Sequence, residues 1–100
     1  PMTRENLSGF NADKLFLAST GISLDKGFST SSMAESEVKQ AMIESAKEVI
    51  LVADSSKLGK VLYHTFAKWD KIHKFITDEG ADPQLIKNVK EHGVEVIQVS

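Results

Sequence analysis

The segment that most constrains the fold is residues 49–53 (Val-Ile-Leu-Val-Ala), which are apolar at every position. A half-exposed strand alternates apolar and polar side chains, whereas a strand buried on both faces of a parallel sheet does not. The polar residues 54–59 (Asp-Ser-Ser-Lys-Leu-Gly) end this run. The pattern predicts an inner strand of a parallel sheet, which requires crossover connections to its neighbours.

Two helices are predicted around this strand. Apolar residues recur three or four positions apart over residues 33–48, and Ser32 and Glu35 have the spacing of a capping box. A second helix is predicted over residues 83–92, because Asp82 is a good N-cap and Pro83 suits the first helical position.

Further strands are predicted over residues 14–19, 72–77 and 94–99, and a short helix over residues 4–8. Residues 24–32 are rich in serine and threonine and are predicted as a loop, and residues 60–70 contain at most a short strand. The alternation indicates an α/β fold, with a mainly parallel sheet and flanking helices. Two helices for about four strands leave one sheet face or edge without cover, which indicates oligomerisation or further chain.

Composition excludes several classes of function. Twelve Lys and Arg against fourteen Asp and Glu give a net charge of −2, which argues against binding nucleic acid by bulk charge. The chain has no cysteine and no apolar run near the roughly 20 residues that span a membrane. His64, His73 and His92 lack metal-ligand spacing. We therefore expect a cytoplasmic protein with no membrane partner, no metal and no cofactor.

Ligands of open parallel sheets bind beyond the carboxyl ends of the strands, where this sequence places polar residues. Lys57 can bind a phosphate as a compact charge, and Glu35 and Asp54 can accept hydrogen bonds from sugar hydroxyls. Gly21 allows close backbone approach, and Asp78 follows another predicted strand. These five residues are the candidate effector-binding residues.

Each of these residues also has a purely structural interpretation that the sequence leaves open. Asp54 can shape a turn, Glu35 can complete the capping box, and Lys57 can be a solvated surface residue. Gly21 can be a turn residue. The lysines near Lys57 favour a solvated face over a nucleic-acid patch; they are Lys60, Lys68, Lys71 and Lys74.

Four blocks of the sequence resemble, in order, the sensor domain of DeoR-type bacterial repressors. The most distinctive is residues 52–59 (Val-Ala-Asp-Ser-Ser-Lys-Leu-Gly). The others are Ala12-Asp13-Lys14-Leu15-Phe16-Leu17 with Gly21-Ile22 and Gly27, then Ala34-Glu35, and finally Ile76-Thr77-Asp78.

The resemblance implies a sensor that binds a phosphorylated sugar or related metabolite, with a fold similar to part of ribose-5-phosphate isomerase and the CoA transferases. It implies operator DNA as a partner through an N-terminal helix-turn-helix. Neither that motif nor the early phosphate loop is found, so residues 1–100 are expected to be the second half of the sensor domain, in a homo-oligomer. Lys57 would contact the anionic group, and Asp54 would hold sugar hydroxyls or orient Lys57. Ser23 stands where many relatives carry Asp.

Two other functions remain open, a sugar-phosphate isomerase-like enzyme and an oligomerisation-only domain. Isomerases of this type carry a Gly-Ala-Asp-Glu-like run after the first strand, where this sequence has Thr20-Gly21-Ile22-Ser23. Glu35 lies near the position of their catalytic carboxylate. The difference favours a binding module with no catalytic residue.

Overall fold

The computed structural model describes residues 12–100. Two short 3-10 turns, Ser55–Lys57 and Trp69–Lys71, flank the fifth strand. In chain order the other elements are β1 (Ala12–Leu17), β2 (Gly21–Ser23), β3 (Gly27–Thr30), α1 (Met33–Ser45), β4 (Ala46–Val52), β5 (His64–Ala67), β6 (Lys74–Asp78), α2 (Pro83–Glu91) and β7 (Glu95–Val99).

Four strands form a sheet in the order β1-β4-β6-β7, and every pair in it is parallel. Leu17 pairs with Leu51, Leu51 with Phe75, and Phe75 with Val96 across the sheet. Spatial order follows chain order, so each crossover moves one strand further in the same direction. The predicted α/β class with a mainly parallel sheet is confirmed.

A second, antiparallel sheet has the order β2-β3-β5, and the sequence analysis did not predict it. The predicted loop over residues 24–32 is therefore wrong, because β3 lies within it. All four residues of β3 are buried despite their polar composition. The hydroxyl of Ser29 accepts a hydrogen bond from the Leu62 amide at 3.0 Å, which allows a polar residue to lie in a buried strand.

The predicted helix over residues 33–48 is three residues too long, since α1 ends at Ser45. Ala46 and Glu48 instead pair with Ala12 and Lys14 of β1, so sheet pairing overrides helical pattern here. The predicted strands β1, β6 and β7 are confirmed within two residues at each end, and the possible strand in residues 60–70 is β5. The helix over residues 4–8 lies outside the described residues.

One hydrophobic core joins the two sheets and both helices. The Phe28 ring of β3 lies 4.4 Å from the Trp69 ring, centroid to centroid, and the Trp69 ring lies 5.3 Å from that of Phe75 on β6. The Trp69 indole also donates to the Ser23 carbonyl of β2 at 3.1 Å. These contacts fix the antiparallel sheet on one face of the parallel sheet. Within residues 12–100, neither helix is long and apolar enough to cross a membrane.

Candidate functional site

Asp78 joins the carboxyl ends of two neighbouring strands. Its Oδ2 accepts a hydrogen bond from the Ser55 amide at 2.8 Å, and its Oδ1 accepts one from the Gly80 amide at 2.7 Å. Ser55 follows β4, whereas Asp78 is the last residue of β6. The hydrogen bonds from Ser55, first from its backbone, and from the Gly80 amide lower the pKa of Asp78 and keep it ionised.

Asp54 shapes the turn that follows β4. Its side chain caps the 3-10 turn Ser55–Lys57 by accepting from the Ser56 amide at 2.9 Å, and the Ser56 hydroxyl donates to it as well. These hydrogen bonds, led by the Ser56 hydroxyl, lower the pKa of Asp54, with a smaller contribution from the charge of Lys57 and an opposing one from Asp78. The structure thus brings Asp54, Lys57 and Asp78 together at one edge. Asp54 also shapes the turn, which is the structural interpretation that the sequence left open.

Glu35 lies at the start of α1 and is held by side chains. The Thr30 hydroxyl donates to Glu35 Oε2 at 2.6 Å, and Lys39 Nζ lies 3.5 Å from the same oxygen. Thr30 first, and then the charge of Lys39, lower the pKa of Glu35. The Glu35 amide donates to Ser32 Oγ at 3.2 Å, which confirms the serine half of the capping box, but the carboxylate turns to Thr30.

Lys39 connects Glu35 to the parallel sheet. Its ammonium group donates to the Ala18 carbonyl at 2.7 Å and lies 4.9 Å from the centroid of the Phe66 ring. Ala18 directly follows β1, so Glu35 lies near the carboxyl end of β1 while Asp54 and Asp78 lie at the ends of β4 and β6. The four charged candidates therefore occupy the carboxyl edge of the sheet, with Glu35 apart from the other three.

Gly21 is buried, and its lack of a side chain is required by a neighbouring loop. A Cβ atom at this position would lie 2.6 Å from Ser29 Oγ and 2.9 Å from the Lys60 carbonyl oxygen. The next residue, Ile22, accepts a hydrogen bond from the Gly59 amide at 2.7 Å. The close approach expected at Gly21 is thus made by protein backbone, and its contact with an effector stays a prediction.

The structure adds residues to the site that sequence reasoning did not select. Thr30 and Lys39 hold Glu35, and Ser55 binds Asp78. Thr77, beside Asp78, is buried, and its hydroxyl has no hydrogen-bond partner among the described residues. Lys39 stands four residues after Glu35, a spacing that indicates a helical ion pair. Thr30 had no such signal because β3 was predicted as loop.

The edge carries ionised carboxylates, the ammonium group of Lys57, that of Lys39 paired with Glu35, and several hydroxyls. This set suits an anionic, hydroxylated small molecule. Lys57 is half-buried, so its side chain is partly accessible to solvent. In the described part of the chain, no group of three or more His, Cys, Asp or Glu side chains could hold a metal ion.

Comparison with known proteins identifies the family of the chain. A sequence model of the "DeoR C terminal sensor domain" family matches residues 1–79. The chain is 36% identical over 90 residues to the HTH-type transcriptional regulator IolR of Bacillus subtilis, covering 90% of this chain and 36% of IolR. It is 34% identical over 97 residues to the regulator GlpR of Haloferax volcanii, covering 97% of this chain and 38% of GlpR. A putative aga operon transcriptional repressor of Escherichia coli O157:H7 is 34% identical over 95 residues, which is 95% of this chain and 35% of the repressor. The chain thus spans little more than a third of the length of these relatives.

Proposed function

Since this chain belongs to the DeoR C terminal sensor domain family, we propose that it binds a phosphorylated sugar or a related metabolite as the effector of a transcriptional repressor. The observation that carries the proposal is the cluster of Asp54, Lys57 and Asp78 at the carboxyl edge of the parallel sheet. Open α/β sheets bind small ligands at this edge.

The charges of the cluster suggest how the ligand is oriented. A phosphate group would bind at Lys57, because the neighbouring carboxylates of Asp54 and Asp78 would repel it elsewhere. The lowered pKa values of Asp54, Asp78 and Glu35 keep these carboxylates ionised at neutral pH, so they act as hydrogen-bond acceptors for sugar hydroxyls. Gly21 would line the backbone side of the same edge.

The proposed mechanism is a shift in population without catalysis. An effector that binds one arrangement of the sensor more tightly than another favours that arrangement, and an attached DNA-binding region then changes its affinity for operator DNA. IolR and GlpR carry HTH-type descriptions, which supports operator DNA as a partner of the full-length protein. We further propose a cytoplasmic homo-oligomer.

The test is a thermal shift of the full-length protein against a panel of sugar phosphates and the corresponding free sugars. An effector at 100 times its dissociation constant should add about 2.7 kcal/mol of stability. We expect one sugar phosphate to raise the Tm, its free sugar to have little effect, and Lys57→Ala to abolish the shift. Lys60→Ala is the matched control, because it removes an exposed lysine three residues away.

Two results would overturn the proposal. If Lys57→Ala responds as strongly as Lys60→Ala, the anion does not bind at Lys57. If no sugar phosphate changes the Tm, the result favours the oligomerisation-only function over effector binding. Phosphorus NMR of the same mixtures should show no conversion of the bound sugar phosphate, whereas a new phosphorus resonance would identify an isomerase-like enzyme.

A further inference from the structure

The ammonium group of Lys39 is engaged by the protein on three sides. Its Nζ donates to the Ala18 carbonyl at 2.7 Å, lies 3.5 Å from Glu35 Oε2, and lies 4.9 Å from the centroid of the Phe66 ring. The side chain is 16% exposed, compared with 85% for Lys47, which forms a surface ion pair. An ammonium group has three N–H donors, and these three contacts match them. Lys39 therefore acts on its neighbours in the protein and not on a ligand.

The Thr30 hydroxyl, the second group that holds Glu35, has a fixed direction. Thr30 is 3% exposed, and its Oγ1 accepts a hydrogen bond from the Ser32 amide at 3.4 Å. A hydroxyl has a single proton to donate, and this one is donated to Glu35 Oε2 at 2.6 Å. Ser32 is also the N-cap of α1 and accepts from the Glu35 amide. The same turn thus holds both the backbone and the carboxylate of Glu35.

These contacts divide the Glu35 carboxylate unequally. Thr30 and Lys39 both contact Oε2, while the Glu35 side chain as a whole is 47% exposed. An ionised carboxylate accepts hydrogen bonds at both oxygens, so Oε1 is available to a donor from a ligand. Because Oε2 is held by two groups, the carboxylate has little freedom to rotate. The direction in which Oε1 accepts a hydrogen bond is therefore set by Thr30 and Lys39.

A ligand held at Lys57 lies within reach of this oxygen. Ile22 of β2 bridges Leu58, the residue after Lys57, and the opposite edge of β2 pairs with β3, which carries Thr30. Neighbouring strands lie about 4.8 Å apart, so the backbone beside Lys57 and that of β3 are separated by about 10 Å. A sugar phosphate together with the side chains of Lys57 and Glu35 spans this separation.

We propose that Lys39 and Thr30 are positioning residues that set the specificity of the sensor. By holding Oε2, they aim Glu35 Oε1 at one hydroxyl of the bound sugar phosphate, and neither residue touches the effector itself. This role rests on the proposed function, because it requires a sugar phosphate bound at Lys57. A site that accepts a hydrogen bond from a hydroxyl rejects the analogue without it, since the bound analogue leaves the desolvated acceptor without a partner.

The test is a double-mutant cycle on ligand discrimination, with dissociation constants measured by calorimetry on the full-length regulator. The ligands are the sugar phosphate that raises the Tm most in the panel above and its mono-deoxy analogues, each lacking one hydroxyl. Ribose 5-phosphate and glucose 6-phosphate are the first two parent compounds. In the wild type, one analogue is expected to bind about 10-fold or more weakly than its parent, because a hydrogen bond to a charged group is lost.

Lys39→Met removes the ammonium group but keeps an unbranched side chain that packs on Phe66. The discrimination ratio should fall about threefold or more, which exceeds the roughly twofold scatter of independent sites, through weaker binding of the parent compound alone. In a Glu35→Ala background, Lys39→Met should not change the ratio further, because the carboxylate that it positions is absent. Lys47→Met is the matched control and should leave the ratio unchanged, since Lys47 lies at the amino end of β4.

Two results would exclude the positioning role. If Lys39→Met weakens the parent and the analogue by the same factor, Lys39 has a structural role only. If the loss of affinity for the parent persists in the Glu35→Ala background, Lys39 contacts the effector directly. Should Lys39→Met fail to fold, Thr30→Val should lower the ratio and Thr30→Ser, which keeps the hydroxyl, should restore it. If sugar phosphates bind through Lys57 and the ratio never changes, only the positioning role is wrong. If none binds, the proposed function is wrong as well.

Discussion

The two sheets hold their candidate site residues by different kinds of contact. On the parallel sheet, Asp78 is bound by the backbone amides of Ser55 and Gly80. On the antiparallel side, Glu35 is bound by the Thr30 hydroxyl and the Lys39 ammonium group, with its side chain 47% exposed. Backbone amides are fixed by the fold, whereas hydroxyl and lysine side chains can change rotamer. Asp78 therefore belongs to the frame of the edge, and Glu35 is held less rigidly, by side chains alone.

This difference has consequences only if the two sheets form one cooperative unit. Phe28 of β3 is the centre of the aromatic contacts between them, since its ring lies near those of Phe66, Trp69 and Phe75. A substitution that removes the Phe28 ring therefore tests whether the antiparallel sheet unfolds together with the rest of the core or separately from it.

The largest effect is expected from Phe28→Ala. Phe28 is fully buried, and truncation of a buried phenylalanine costs about 3–5 kcal/mol. Phe16→Ala is the matched control, because Phe16 is mostly exposed in the 100-residue chain and should cost about 1 kcal/mol or less. Urea unfolding of the 100-residue chain measures both. Two separate transitions in Phe28→Ala, one for each sheet, would contradict a shared core.

A second, smaller effect is expected from Gly27→Ala, which tests the seam between β3 and the end of β5. Gly27 has φ +83, and a Cβ there would collide with the Ala67 carbonyl. Gly59→Ala is the control, since Gly59 has φ +87 and nothing within 4 Å of its Cβ position. The left-handed conformation costs about 1–2 kcal/mol at both positions, so any excess at Gly27 reports the collision.

If the two glycine variants lose the same free energy of unfolding, the backbone of β3 and Ala67 moves apart without a measurable loss of stability. The antiparallel sheet is then loosely attached. The same urea titration decides this. A larger loss at Gly27 would support a rigid connection between the hairpin that leads to Glu35 and the rest of the core.

The parallel sheet could be predicted from the sequence, but the antiparallel sheet could not. The run at residues 49–53 is apolar throughout, and Asp82-Pro83 marks the start of α2, so local patterns indicate these elements directly. β3 is four residues long and includes Ser29 and Thr30, whose burial depends on partners distant in the sequence, such as the Leu62 amide. A polar strand of this kind has no local pattern, because the compensating hydrogen bond is tertiary.

The candidate site shows the same limit. Asp54, Lys57 and Asp78 could be placed at one edge from the rule on strand ends, and the structure brings them together there. That backbone amides rather than a lysine hold Asp78 could not be predicted, because the amide of Ser55 comes from a different strand end. The role of Glu35 as an effector contact remains a prediction, although its position near the end of β1 agrees with it.

The smallest change in stability is expected from substitution of the carboxylates Asp78 and Glu35, one on each side of the comparison between the two sheets. The folded protein lowers the pKa of both Asp78 and Glu35, so each contributes stability above its unfolded pKa, about 4, that is lost as the pH falls through the lower folded value. Asp78→Asn and Glu35→Gln should therefore each lower the Tm at pH 7, and the difference from wild type should shrink below about pH 4.

The dependence on salt distinguishes the stabilisation at Asp78 from that at Glu35. Part of the stabilisation at Glu35 is the ion pair with Lys39, which is partly exposed on the Glu35 side and is weakened by about 1 M salt. The loss of Tm in Glu35→Gln should therefore decrease in high salt. Asp78 is held by short hydrogen bonds from amides, whose strength depends little on ionic strength, so the loss in Asp78→Asn should persist. Thermal unfolding of both variants at pH 7, in low and high salt, measures this. If salt reduced both losses equally, Asp78 would be held by general charge rather than by the backbone, and the distinction between a fixed frame and an adjustable carboxylate would fail.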